Sequence, residues 1–215
     1  MVHSADSEQP GDSAAGIQIL LAHEAVRKRP TMYLGSTNLQ ALSRLLQLAV
    51  KGVLWHYRFL GETPEQITVQ IASDSSATVT SSKAAAASVF LEQSARLLRE
   101  ECSRLWITQL RPFLHLQGVN AMSELCVVNA LSDHLEVGIR GLENRWCSFQ
   151  FEQGVFLHEE ELPSLLDQER NIQLRFCPDF TILDPATFDY EQIQEAMHSL
   201  SKDFPSVPLT VIDAR

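Results

Sequence analysis

No apolar run in the 215 residues approaches the ~18 needed to cross a bilayer as a helix, which argues against a helical membrane anchor. None of the four cysteines, Cys102, Cys126, Cys147 and Cys177, forms a C-x-x-C pair. That spacing argues against a disulfide framework or a zinc site and suits reduced, mostly buried thiols in a cytoplasmic protein. Bases are scarce: 17 Lys and Arg face 27 Asp and Glu, for a formal charge of −10. Such a surface repels DNA and polyphosphates unless a local patch overrides it, so nucleic acid is a disfavoured partner. The histidines show no H-E-x-x-H spacing, and no G-x-S-x-G elbow places a nucleophile. The start, "MVHSADSEQPGDSAAG", lacks the basic and apolar regions of a secretory signal and reads as a flexible tail over residues 1–16.

What is present is a soluble-protein composition, 45% hydrophobic and 20% charged, in a chain long enough for one sizeable core. "IQILLAHEAVRKR" predicts a short helix closed by Pro30. Leu42, Leu45, Leu46, Ala49, Val53 and Leu60 recur at helical spacing and predict a long helix from Leu39 to Leu60, ended by Gly61. "ITVQIA" (Ile67 to Ala72) and "ATVT" (Ala77 to Thr80) read as a hairpin. Lys83 to Trp106 predicts a further long helix, and "AMSELCVVNALS" another after Pro112 and Gly118. Two strands follow, "HLEVGIRGL" and "RWCSFQFEQG". The acidic "HEEELPSLLDQE" is read as a loop leading to the strand "IQLRFCP". A helix, "DYEQIQEAMHSL", and a strand, "PLTVIDA", complete the pattern. Strand pairs separated by helices predict an α/β fold built as a two-layer sandwich, with a sheet on one side and helices on the other.

"AVRKRPTMYLGST" (Ala25 to Thr37), "VVNALSDHLEV" and "FDYEQIQEAMHSL" are similar, in order and spacing, to the ATPase domain of the DNA gyrase B subunit and its topoisomerase IV counterpart. The resemblance implies the Bergerat, or GHKL, fold: a mixed, mostly antiparallel sheet covered by helices on one face. It spans residues 17–215 and stops short of the family's second domain, the transducer, whose lysine reaches the γ-phosphate. On this reading no transducer is present.

The resemblance also implies four nucleotide-handling patches, each of which is altered. Where the family's long helix reads E-x-x-D-N, with a water-activating glutamate and a magnesium-binding asparagine, this chain has Leu48, Lys51 and Gly52. The adenine-binding D-x-G-x-G becomes Ser82, Lys83 and Ala85 at its aspartate and glycine positions. In the glycine-rich lid only Gly118 remains, and Glu124 puts a carboxylate near the expected triphosphate. The G-T motif becomes Asn171 and Ile172. Leucine has no proton acceptor and glycine has no side chain, so general base and metal ligand are both missing.

These positions predict no catalytic residue, no metal and no cofactor, and a non-catalytic domain that acts through a protein partner or self-association. The alternative is an ATP-binding domain with weak residual activity, using Ser82, Glu124 and Lys51 as substitutes with Mg-ATP. Arg27, Lys28 and Arg29 form a possible contact patch for DNA or phosphate, or a solvated helix end that complements the helix dipole. "LHEEE" is read as an acidic loop rather than a metal site. On the long helix Leu48, Val50, Leu54, Trp55 and Tyr57 lie outside the main apolar stripe. They predict either a filled, collapsed pocket or an apolar groove for a partner.

Overall fold

The computed structural model describes residues 21–59, 63–82, 119–140, 146–162, 170–184 and 187–215. The tail over 1–16, the predicted helix from Lys83 to Trp106, Gly61, Gly118 and the His56 side chain lie outside the described residues.

Helix α1 (Ala22–Lys28) opens with the Glu24 carboxylate accepting from the Leu21 N–H at 2.8 Å. Pro30 cannot continue that ladder and instead starts a second short helix, α2 (Thr31–Leu34). Gly35, at φ 80°, ends α2 in the left-handed region. "RKRPTMYLG" is therefore a helix–proline–helix elbow, with one more helix than the sequence pattern predicts.

Helix α3 (Leu39–Phe59) follows; the Asn38 side chain caps it by accepting from Gln40 N–H. Leu42, Leu45, Leu46, Ala49 and Val53 are buried as their spacing predicts, and so are Leu48, Val50, Leu54 and Tyr57. Burial on several sides makes α3 a central helix, which also packs on α4 (Val119–Ala130) and on α5 (Tyr190–Asp203). Asp189 caps α5, accepting from Glu191 and Gln192 N–H, and Ile193, Met197 and Leu200 form its buried stripe.

Seven strands among the described residues make one sheet: β1 (Ile67–Ala72), β2 (Ala77–Ser82), β3 (Ser132–Arg140), β4 (Trp146–Glu152), β5 (Val155–Leu162), β6 (Arg170–Pro178) and β7 (Leu209–Ala214). Their order is β5-β4-β3-β6-β2-β1-β7, antiparallel at every step except β1 with β7. Register sorts the side chains by face. Val211, Val69, Val79, Leu174, Val137 and Phe149 run across one face of the sheet in cross-strand register. All six join the apolar core beneath the helices. The neighbouring row, Thr210, Thr68, Thr80, Gln173, Gly138 and Ser148, lies on the other face and is mostly polar. One apolar face and one polar face is the pattern of a two-layer sandwich.

The structure corrects the reading of the acidic segment. Val155–Leu162 is not a loop but an edge strand, paired with β4 through Gln150↔His158, Ser148↔Glu160 and Cys147↔Glu161. Gln153 and Gly154, at φ 50° and 91°, make the two-residue turn before it. Charged residues on an edge strand discourage pairing with another chain, which explains how so acidic a run is a strand at all. Smaller shifts follow the same lines. Ser132 begins β3 rather than ending a helix, and β6 starts at Arg170, so that Asn171 lies within the strand rather than before it.

Candidate functional site

Helix α3, which packs on α4, carries three of the positions singled out in the sequence. Leu48 is 7% exposed and belongs to the central apolar cluster, and Gly52, one helical turn on, is buried as well. Lys51 is half-buried on the same stretch. Glu124 approaches from α4, with one carboxylate oxygen, Oε2, buried and lacking a hydrogen-bond partner. Burial raises its pKa to about 7 against the opposing pull of Lys51 and, second, Arg44. At neutral pH this side chain is divided between acid and carboxylate.

Ser82 and Ile172 stand together at the ends of β2 and β6, where Ser81 pairs with Ile172. Ser82 Oγ donates to the Gln66 carbonyl at 3.3 Å. Ile172 is buried. Tyr57 ties this end of the sheet to α3 through a buried hydrogen bond with Ser81 Oγ at 2.8 Å. Lys83 and Gly118, the other two positions singled out, lie outside the described residues.

Leu48, Val50, Leu54 and Tyr57 are in the core. Trp55 packs edge-on against Phe204 at 5.8 Å, with the Arg58 guanidinium 4.9 Å over its ring. A mostly polar groove beside α3 is lined by Gln40, Ser43, Arg44 and Gln47 with Gln192 and Glu195 of α5.

The basic cluster divides. Lys28 and Arg29 are exposed, but Arg27 is neither a free contact nor a solvated helix end. Its guanidinium donates to the Ala130 carbonyl at the end of α4 (2.9 Å) and to the Asp179 carboxylate at 2.6 Å. The Asp179 side chain is 2% exposed. Burial pushes its carboxyl up, yet the hydrogen bonds from Thr181 and Arg27 outweigh that and hold it below the usual range. Arg27 therefore joins α1, α4 and the end of β6. Sequence spacing gave no hint of this partner, which lies 152 residues away. Arg44 is the other side chain missed; its place two helical turns before Lys51 was the available signal.

Cys126 and Cys147 are buried, as expected, and Cys177 is half-buried. No group of three or more His, Cys, Asp or Glu among the described residues is arranged to hold a metal ion. No helix among them is long and apolar enough to cross a membrane.

A sheet with this strand order, covered by helices, is a two-layer α/β sandwich. The same architecture appears in the crystal structure of the B-subunit of the DNA gyrase from Myxococcus xanthus. That match has a TM-score of 0.68 at 23% identity and covers 89% of this chain and 53% of that one. In sequence the chain is 29% identical to the DNA gyrase B subunit of Haloferax volcanii over 96% of its length. It is 26% identical to the DNA gyrase B subunit of Borrelia hermsii and 25% identical to the DNA topoisomerase 4 B subunit of Mycoplasma genitalium, over 94% in each case. The chain spans about a third of the length of these curated relatives. No protein-family model matches it.

Proposed function

We propose that this chain is a gyrase-B-like pseudo-ATPase domain, a cytoplasmic module that binds another protein and does not turn over ATP. One observation carries the reading: Leu48 is a buried hydrocarbon and Gly52 has no side chain, at the positions where the resemblance calls for the water-activating and magnesium-binding groups. Neither can accept a proton or ligate a metal. Packing adds to this, since a carboxylate at position 48 would be buried among apolar core side chains. The partner is a second copy of the chain or a type II topoisomerase subunit, with which a look-alike domain competes for contacts. The charge of −10 favours protein over DNA as that partner.

The test is phosphate release from Mg-ATP by the purified chain, with calorimetric titration of Mg-ATP alongside. The expected result is no turnover above buffer and no binding tighter than about 1 mM, equivalent to about 4 kcal/mol. Turnover that scales with protein concentration overturns the reading in favour of a weak ATPase.

A further inference from the structure

The groove between α3 and α5 has no part in the reading above. It has a volume of about 330 Å³ and includes none of the described positions altered in the nucleotide patches. That size falls at the lower end of small-molecule sites, about 300–1,000 Å³. Arg44 and Gln47 line one wall, Gln192, Glu195 and Ala196 the other, and Leu34 at the end of α2 joins them. A hydrogen bond ties the walls together: Gln47 Nε2 donates to the Ala196 carbonyl at 3.0 Å. Gln47 Oε1 in turn accepts from Arg44 Nη1 at 3.0 Å, which orients the guanidinium.

Two polar groups in this groove are left incomplete. Among the described residues no carboxylate pairs with the half-buried Arg44, whose hydrogen bond goes to a neutral amide. Gln192 Nε2 donates to Asp189 Oδ2 at 3.2 Å, and a carboxylate can only accept, so this contact fixes which way the amide points. The other end of that amide, Oε1, is buried and accepts no hydrogen bond. Buried acceptors are nearly always satisfied, so an open one beside a groove calls for a donor from outside the chain. Glu195, exposed on the same wall, adds a negative charge.

We propose that the groove binds a small amino-acid zwitterion. Its carboxylate takes the N–H groups that Arg44 has spare, and its ammonium donates to Gln192 Oε1 and faces Glu195. Leu34 and Ala196 give its side chain an apolar contact. Neither charge suffices alone, because a simple anion meets Glu195 and a simple cation meets Arg44. The inference does not rest on the pseudo-ATPase reading.

L-Leucine is the probe, followed by nitrogen-edited proton NMR of the full chain. Saturable shifts are expected at the side-chain amides of Gln47 and Gln192 and at the Glu195 backbone. Isocaproate, which is leucine without its amino group, and isoamylamine, which is leucine without its carboxylate, each bind at least about tenfold more weakly, the worth of one charge-assisted hydrogen bond. Arg44→Met abolishes saturation. If that variant does not fold, Glu195→Gln, at an exposed position, weakens leucine several-fold and leaves isocaproate binding no weaker than in wild type. The proposal is overturned if leucine gives no saturable shift at these groups up to about 10 mM, or if either analogue binds as well as leucine. Unchanged leucine binding in Arg44→Met or in Glu195→Gln does the same. Absence of leucine binding leaves the pseudo-ATPase reading standing, whereas ATP turnover removes that reading without touching this one.

Discussion

Glu124→Gln takes a titrating group out of the α3–α4 seam, and its effect on folding has a sign and a size. Below about pH 4.5 the carboxyl is protonated in folded and unfolded chains alike, so wild type and variant melt together. Between there and about pH 7 the unfolded chain has released the proton and the folded chain still holds it, and wild-type stability declines. Above pH 7 both states are ionised and the loss is complete. A rise from 4.5 to about 7 corresponds to at most about 3 kcal/mol. The open side of the carboxyl is screened by water, which reduces this to about 1–2 kcal/mol. Thermal melts at pH 4.5 and pH 8 measure it. The variant gains about 1–2 kcal/mol over wild type at pH 8, roughly 2–8 °C in Tm for a chain of this size, and little or nothing at pH 4.5. A difference independent of pH, or a variant less stable than wild type at pH 8, refutes the reasoning.

Arg27→Met leaves the Asp179 carboxylate buried without its cation and costs about 3–5 kcal/mol in urea unfolding at pH 7. Because Asp179 titrates below the usual range, its contribution is present above about pH 4 and fades as the pH drops further, so the penalty shrinks in acid melts. Gly138→Ala drives a methyl into the Trp146 ring and destabilises by about 1–3 kcal/mol, with a shift in tryptophan fluorescence. Leu48→Glu buries a carboxyl in the apolar core, lowers stability by about 3 kcal/mol and restores no ATP turnover while position 52 remains glycine. Replacing Glu159 and Glu161 of β5 together with valine strips charge from the sheet's edge, and light scattering then shows concentration-dependent assembly absent from wild type.

The sequence carried much of this architecture, for reasons that differ by element. Helix α3 was legible because its apolar residues repeat over twenty positions, and β1 because Ile67, Val69 and Ile71 alternate with Thr68 and Gln70. Strand β5 was not, because "HEEEL" gives the composition of a loop, and only its register with β4 shows a strand. Four residues are too few to show a period, which hid α2. At the site, Leu48, Lys51, Gly52 and Glu124 were readable through the resemblance alone. The pairing of Arg27 with Asp179 and the position of Arg44 near Glu124 depend on how distant segments pack, which spacing along the chain does not record.

Sheet order also bears on how the protein is made. The β1–β2 hairpin, complete by residue 82, is flanked by β6 and β7, which begin at residues 170 and 209. A nascent chain emerging from the ribosome therefore carries that hairpin with both outer margins bare until roughly ninety further residues bring β6, and well over a hundred bring β7. Local contacts form first and long-range pairing closes last, so the early hairpin is where a chaperone or a neighbouring nascent chain has its longest opportunity to attach.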